Sequence, residues 1–132
     1  KKTDEAIAHY KKAIDSYSDY VDAHYNLGLA LGLEKRYDEA IEQYYSVLRL
    51  KPKHWKAQFR LANAFVGKGQ LDKAIEHYNK TLQVKPDDAE VCNNLALALV
   101  KKGKINEAIE YYNKSLEINR DSAEVLNNLG NA

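Results

Sequence analysis

The sequence has little of what stabilises or anchors many other classes of protein. Cys92 is the only cysteine, which excludes an internal disulfide and a cysteine-based metal cluster. Twenty basic residues against 19 acidic ones leave a net charge of +1, which argues against nucleic acid or an anionic membrane surface as a partner. The longest unbroken apolar run, Leu95 to Val100, is far shorter than the roughly 20 residues of a membrane-spanning helix. We therefore expect neither a nucleic acid nor a membrane partner.

Residues that often carry chemistry are present, but they form no catalytic or metal-binding arrangement. Gly67-Lys68-Gly69 lacks the remaining spacing of a phosphate-binding loop, and we interpret it as a helix turn. The histidines are scattered through the sequence and are interpreted as surface residues; they are His9, His24, His54 and His77. We therefore predict no enzyme, no cofactor and no metal site within these residues.

The start of the chain says little about where the protein works. The first residue is Lys1 rather than Met, which we interpret as a sign of a fragment or a processed product whose original leader would not be visible. No pattern identifies a compartment, and the cytoplasm is the default expectation.

The strongest positive signal is an internal repeat. The tripeptide Ala-Ile-Glu occurs at 40–42, 74–76 and 108–110, so that 40 to 74 and 74 to 108 are both steps of 34 residues. One further step back reaches Ala6-Ile7. A repeat of this length in a helix-forming sequence predicts a solenoid, in which each unit packs mainly on its neighbours and none buries a core alone. Such an architecture favours binding over catalysis.

Each repeat contains two stripes of apolar and small residues at helical spacing, separated by a short polar break. Such a pattern predicts two antiparallel helices per repeat and an all-α fold. We predict one domain made of a half repeat at 1–20 (a second helix), full repeats at 21–54, 55–88 and 89–122, and a half repeat at 123–132 (a first helix).

Polar residues and prolines mark the predicted helix ends. One residue in each repeat can cap the start of the second helix; these are Asp4, Asp38, Asp72 and Asn106. Pro52 and Pro86 follow the second helix and prevent its continuation. Asp87-Asp88 can then cap the helix that comes next.

These residues resemble the tetratricopeptide repeat family over the entire chain. The family's first helix carries Leu-Gly or Leu-Ala, as at 27–28, 61–62 and 95–96, and its second helix carries Ala-x-x-x-Tyr, as at 40–44, 74–78 and 108–112. The sequence departs from the family pattern at His24, Gln58, Cys92, Lys35 (a turn glycine in the family) and Arg120 (a closing proline). The resemblance implies a right-handed superhelix, an α-solenoid of about seven helices, whose first helices line a concave groove for peptides or protein segments.

The resemblance also implies which residues line this groove, namely those of the first helices that point away from the second helices. They are Asp22, Tyr25, Asn26, Leu29, Leu33, Lys56, Phe59, Arg60, Asn63, Glu90, Asn93, Asn94, Leu97, Lys101, Glu124, Asn127, Asn128 and Asn131. Asn26, Asn94 and Asn128 share one repeat position, which resembles the asparagine ladder of the protein O-linked N-acetylglucosamine transferases. A carboxamide both donates and accepts, so it can pair with the main chain of an extended peptide. Alternatively, these amides bond only to water or to neighbouring helices.

A second resemblance concerns the carboxylate clamp of co-chaperone repeat domains, which holds the C-terminal carboxylate of heat-shock chaperones. Asn26, Lys56 and Arg60 match its last three positions. The first two would precede Lys1. Cationic donors at this spacing suit a carboxylate, whereas Lys and Arg are also frequent on solvated helix faces.

The two half repeats predict a further mode of interaction. Each half lacks the helix that would cover its apolar stripe, and exposed apolar stripes recruit partners. The stripes consist of Ile7, Tyr10 and Ile14 at the start and Val125, Leu126 and Leu129 at the end. Because the halves are complementary, the end of one molecule can dock on the start of the next in a head-to-tail fibre.

Three functions remain open from the sequence. The first is an adaptor that binds an extended peptide or protein segment in the groove. The second is a scaffold that self-assembles through its terminal half repeats, and the third is a targeting domain of a larger enzyme.

Overall fold

The computed structural model of the chain describes the backbone of residues 2–16 and 21–119, with side chains at 3–12 and 21–119. All regular structure in these ranges is helical, which confirms the predicted all-α fold. The seven helices are α1 (Lys2–Ser16), α2 (Val21–Leu33), α3 (Tyr37–Leu50), α4 (Trp55–Gly67), α5 (Leu71–Val84), α6 (Ala89–Lys101) and α7 (Ile105–Ile118). The predicted helix at 123–132 lies outside the described residues.

In α2 to α7 the buried residues recur at intervals of three or four positions. In α5 the buried residues are Ala74, His77, Tyr78 and Thr81, which fall on one face of a helix with 3.6 residues per turn. The opposite face is charged, with Glu76 and Lys80 one turn apart and 3.2 Å between Oε2 and Nζ. One face of α5 therefore packs inward while the other remains in water.

The helices pack in the order in which they occur along the chain. Each contacts the helix before it and the helix after it, and the contacts are most extensive within the pairs α2/α3, α4/α5 and α6/α7. The first helices of successive pairs also touch, α2 with α4 and α4 with α6. These three helices therefore lie in sequence along the stack.

Small residues at the centre of each pair let the two helices approach closely. Ala40, Ala74 and Ala108 have no exposed surface. In the first pair a glycine is also required, since a Cβ at Gly28 would come within 2.5 Å of Cε1 of Tyr44. The repeated small residues thus make room for the repeated tyrosines of the second helices.

The turn between the two helices of a pair needs a left-handed residue. Gly69 and Gly103 have φ values of 76° and 84°, and Lys35 occupies the equivalent position in the first pair with a φ of 60°. A residue with a Cβ is strained in this region of φ. The departure from the family pattern at Lys35 therefore leaves the turn in place at a conformational cost.

The predicted caps of the second helices are wrong. Helices α3, α5 and α7 begin after Arg36, Gln70 and Lys104, and none of these three N-cap residues accepts a hydrogen bond with its side chain. Asp38, Asp72 and Asn106 each lie second in their helix, and Asp4 lies in the first turn of α1.

Backbone geometry and ion pairs explain this difference. The N–H of Arg36 bonds to the carbonyl of Leu31 at 2.9 Å, so the turn folds back on the preceding helix and the second helix begins just before Asp38. The two aspartates instead form ion pairs with a lysine in the turn of the following repeat. The pairs are Asp38 with Lys68, and Asp72 with Lys102 at 2.9 Å.

First helices α4 and α6 do have side-chain caps. Asp88 accepts a hydrogen bond from the N–H of Val91 at 3.0 Å, as predicted, and Nδ1 of His54 accepts one from the N–H of Ala57 at 3.1 Å. His54 is therefore a cap that the sequence pattern did not indicate.

Two histidines predicted to lie on the surface are buried. His24 and His77 are 8% and 6% exposed. Each Nδ1 pairs with a glutamine Oε1 at 2.8 Å, His24 with Gln43 and His77 with Gln58. The imidazoles can be buried because each finds a polar partner on the other helix of its own pair. His9, by contrast, is exposed.

Candidate peptide-binding groove

The predicted groove residues lie on α2, α4 and α6 and follow one another from repeat to repeat. Successive first helices are in contact, so residues 34 apart form rows along the stack. Asn26, Arg60 and Asn94 form one such row, and Leu29, Asn63 and Leu97 form another. Asn127 and Asn128 lie outside the described residues.

Not all of the predicted residues are open to a ligand. Phe59 and Asn93 are buried, at 3% and 4% exposure, so they support the wall of the groove rather than form its surface. Asp22, Lys56, Glu90 and Lys101 are exposed, and Glu124 and Asn131 lie outside the described residues. The remaining described positions are half-buried, apart from Leu33, which is 77% exposed; the half-buried ones are Tyr25, Asn26, Leu29, Arg60, Asn63, Asn94 and Leu97.

A small polar network links α4, α5 and α6. Oδ1 of Asn63 accepts a hydrogen bond from Nδ2 of Asn94 at 3.2 Å and another from the hydroxyl of Tyr78. Burial raises the pKa of Tyr78 far above its ordinary value, so this hydroxyl keeps its proton and remains a donor. Asn94 therefore pairs with Asn63, in the neighbouring row, rather than with the next member of the predicted ladder.

Arg60 stands at the ladder position of the middle repeat. Its guanidinium carbon lies 5.5 Å from the centre of the Phe59 ring. Its Nε is buried without a hydrogen-bond partner. Within residues 3–12 and 21–119, Arg60 takes part in no ion pair. The middle of the groove therefore carries a cation whose donors are not all used.

A cavity of about 360 Å³ lies beside Arg60, between α2, α3 and α4; we call it the first cavity. Its lining consists of Leu29, Gly32, Leu33, Tyr37, Tyr44, Arg60, Asn63 and Ala64. Most of these side chains are apolar or aromatic. Burial raises the pKa of Tyr44 far above its ordinary value, although nearby Arg60 opposes the rise.

A second cavity of about 350 Å³ occupies the equivalent place one repeat later. It is lined by Tyr37, Asn63, Val66, Gly67, Tyr78, Asn94, Leu97, Ala98 and Lys101. Seven of these residues lie 34 positions after a residue of the first cavity. The two cavities are thus one repeated feature with different side chains.

Tyr37 lines both cavities, although it was not among the predicted groove residues. Its ring packs so closely on Gly67 that a Cβ there would overlap it. The positions equivalent to Tyr37 are Leu71 and Ile105, and those equivalent to Gly67 are Leu33 and Lys101. The sequence signal that could have indicated Tyr37 is this combination of an aromatic residue and a glycine, which the equivalent positions of the other repeats do not have.

The start of the stack differs in part from the expectation. Ile7 was expected to be uncovered but is buried in the core, at 4% exposure, because α1 packs on α2. Ala6 and Tyr10 are only half-buried, whereas the equivalent Ala40 and Tyr44 are 0% and 3% exposed. The side chain of Ile14 and the residues Val125, Leu126 and Leu129 lie outside the described side chains.

Two kinds of feature are absent from the described residues. None of their helices combines the length and the apolar character that crossing a membrane requires. They also contain no group of three or more His, Cys, Asp and Glu side chains placed to hold a metal ion. Cys92 is buried, and burial raises the pKa of its thiol.

Comparison with known sequences identifies repeats along most of the chain. Models described as tetratricopeptide repeat match residues 2–54 and 89–122, and a model described as TPR repeat matches residues 62–103. No curated protein matches the sequence significantly.

Solved structures give a consistent result. A crystal structure of MamA is 30% identical, with a TM-score of 0.86, and the match covers 92% of this chain and 71% of that one. A MamA RS-1 ArsTM double mutant is 26% identical, with a TM-score of 0.86 and coverage of 92% and 69%. MamA 41-end from Desulfovibrio magneticus RS-1 is 24% identical, with a TM-score of 0.87 and the same coverage, and shares the fold.

Proposed function

The chain belongs to the tetratricopeptide repeat family, and we propose that this protein-interaction module binds an extended segment of a partner protein along α2, α4 and α6. The observation that carries the proposal is the amide pair of Asn63 and Asn94. Paired carboxamides on adjacent helices suit the alternating donors and acceptors of an extended main chain.

The hydrogen bonds within the network decide what it can offer to a ligand. Oδ1 of Asn63 already accepts two hydrogen bonds, which uses the acceptor capacity of a carbonyl oxygen. The N–H groups of Asn63 and the carbonyl of Asn94 remain. A main-chain carbonyl and a main-chain N–H of one bound segment would satisfy them together.

Selection from a displayed library of random linear dodecapeptides tests the proposal. Peptides selected on the wild-type chain are synthesised, and their dissociation constants are measured by fluorescence polarisation. Asn94→Ala should weaken them by about tenfold, the cost of hydrogen bonds lost at a site from which water is excluded. Asn113→Ala, an exposed asparagine on α7, is the matched control and should change nothing. If both variants bind the selected peptides like the wild type, or if no peptide is selected, groove binding is rejected.

The openness of α1 favours a second candidate, self-assembly by head-to-tail stacking. Ala6 and Tyr10 occupy positions that a first helix covers in the later pairs, but they are only half-buried. The predicted first helix at 123–132 of a second copy would fit there. Sedimentation velocity should then show association that rises with concentration and is abolished by Leu129→Asp. A monomer at all concentrations would reject this candidate and leave peptide binding unaffected.

A further inference from the structure

We infer that the bound segment carries a large apolar side chain next to an internal Asp or Glu, with the apolar side chain in the first cavity and the carboxylate on Arg60. This inference rests on the proposed groove function and adds the chemistry of the ligand. The carboxylate belongs to a side chain within a continuous segment rather than to a chain terminus, because the first helices extend the groove on both sides of Arg60.

The walls of the first cavity select the apolar side chain. Leu29, Leu33 and Ala64 line it together with two tyrosine rings. Leu33 is 77% exposed, the highest value among the exposed large hydrophobic residues of the described range. A ligand side chain in the cavity would remove Leu33 from water, and apolar area buried in this way is the main driving force for binding. A volume of about 360 Å³ falls within the usual range of ligand pockets.

Arg60 selects the carboxylate. Its Nε is buried without an acceptor, and it forms no ion pair within the described side chains. A guanidinium presents its donors in a planar fork that matches the two oxygens of a carboxylate. Lys56, one helical turn earlier on α4, adds positive charge, and no acidic residue lines the first cavity. A ligand carboxylate would therefore pair with a guanidinium that the described side chains leave without an ion-pair partner.

The second cavity carries different polar groups. Asn94 stands at the position of Arg60 and Leu97 at the position of Asn63, so no guanidinium lines the second cavity. Tyr37 forms a wall of both cavities and is held against the backbone of Gly67. A segment that crosses both cavities meets the guanidinium of Arg60 in the first and the amide of Asn94 with the ammonium of Lys101 in the second, and this difference fixes its register.

Short blocked peptides test the inference directly. The probes are acetylated and amidated octapeptides of Ser and Gly with a central Leu-Glu or Glu-Leu, and versions with Leu-Gln, Ser-Glu or Ser-Gln at the centre. Binding is followed by ¹H–¹⁵N correlation spectra, with the amides of Asn63 and Ala64 as reporters. The better Leu and Glu order should bind about tenfold more tightly than Leu-Gln or Ser-Glu, as expected for a charge-assisted hydrogen bond or a buried leucine.

Two variants separate the two halves of the site. Arg60→Gln should abolish the preference for Glu over Gln and keep that for Leu over Ser, and Arg60→Lys should retain part of the first preference. Leu33→Ser should keep the preference for Glu over Gln and reduce the preference for Leu over Ser. Arg49→Gln removes an exposed arginine on α3 that donates to Ser46, and as the matched control it should preserve both preferences.

Each contrary result has a defined meaning. Equal affinity for the Glu and Gln peptides, or a Glu preference that survives Arg60→Gln, overturns the inference. The inference is also overturned if a Leu-Gln peptide with a free C-terminal carboxylate binds as tightly as the blocked Leu-Glu peptide. If the dodecapeptides above still bind and depend on Asn94, the groove function stands without this specificity. If neither set of peptides binds, the proposed function itself fails.

Discussion

The pairs α2/α3 and α4/α5 have the same helix lengths and packing but opposite placement of one buried polar pair. In the first, His24 lies on the first helix and Gln43 on the second; in the next, Gln58 lies on the first helix and His77 on the second. Both Nδ1 to Oε1 distances are 2.8 Å. These two interfaces therefore bury a complementary donor and acceptor in opposite orders.

The same two pairs differ around their central tyrosine. Tyr44 packs against Gly28, and its ring reaches the first cavity. Tyr78 has Ala62 and Asn63 at the equivalent places, and its hydroxyl donates to Asn63. Space decides the orientation of one tyrosine, whereas a hydrogen bond holds the other. Four perturbations test this contrast and the other differences between the two pairs.

The largest effect should come from Gly28→Ala. The new methyl group would overlap Tyr44, and overpacking of this kind costs about 1–3 kcal/mol, which exceeds the gain in helix propensity. We expect the free energy of unfolding, measured with urea, to fall by about 1–2 kcal/mol. Because the ring of Tyr44 also lines the first cavity, its displacement should weaken peptide binding there as well. A variant as stable as the wild type would show that Tyr44 adapts as Tyr78 does beside Ala62.

The tyrosine hydroxyls should differ next. Tyr78→Phe removes a donor to Asn63, and we expect it to lower the free energy of unfolding by about 1–1.5 kcal/mol. Tyr44→Phe is the matched control, because the residue equivalent to Asn63 in its pair is Leu29. Equal losses in the two variants, compared by thermal and urea unfolding, would contradict the contrast.

The turn preceding the second helix offers a stabilising change. Lys35→Gly would relieve a left-handed φ of 60°, and we expect a gain of about 0.5–1 kcal/mol in the free energy of unfolding, after the greater unfolded-state freedom of glycine is deducted. Lys53→Gly, in the turn after α3, removes no such strain and should give no gain. If both variants are destabilised, Lys35 is not strained.

Acid should produce the smallest effect. Burial lowers the pKa of His77, which also stacks on Phe65 and lies near Tyr45, and it lowers the pKa of His54. The unfolded state therefore binds protons at a higher pH than the folded state does. Stability should be complete above the unfolded histidine pKa of about 6.5 and should fall as the pH drops from there towards the lowered folded values.

Urea unfolding at several pH values checks this expectation. The double variant His54→Asn and His77→Gln should show a flatter decline below pH ~6.5, since asparagine can cap α4 and glutamine cannot charge. An unchanged slope would mean that these two histidines do not cause it.

Much of the fold could be predicted from the sequence, because helix pairing in a solenoid depends on contacts between neighbours. The period placed Ala40, Ala74 and Ala108 in the core, where they are fully buried. Where the predictions were wrong, a contact across the repeat or pair decided the outcome. Asp38 pairs with Lys68 in the following repeat, and His24 is buried because Gln43 lies opposite.

The candidate site was less predictable. The rows of α2, α4 and α6 were predictable from the period, including the positions of Arg60 and Asn94. The bond between Asn94 and Asn63 joins two different rows and depends on the offset between adjacent helices. Tyr37 comes from a second helix, so a rule that assigns the groove to first helices could not include it.

The sequence by itself determined that this chain is a stack of helix pairs, because a regular recurrence of small and apolar residues leaves each pair only its neighbours to pack on. Only the tertiary structure decided which polar groups on that stack remain available. Oδ1 of Asn63 is saturated by Tyr78 and Asn94, whereas Arg60 keeps a buried donor without a partner beside an apolar cavity. The physical reason is that hydrogen bonds and cavities depend on distances of a few ångströms between helices, which a 34-residue period does not specify.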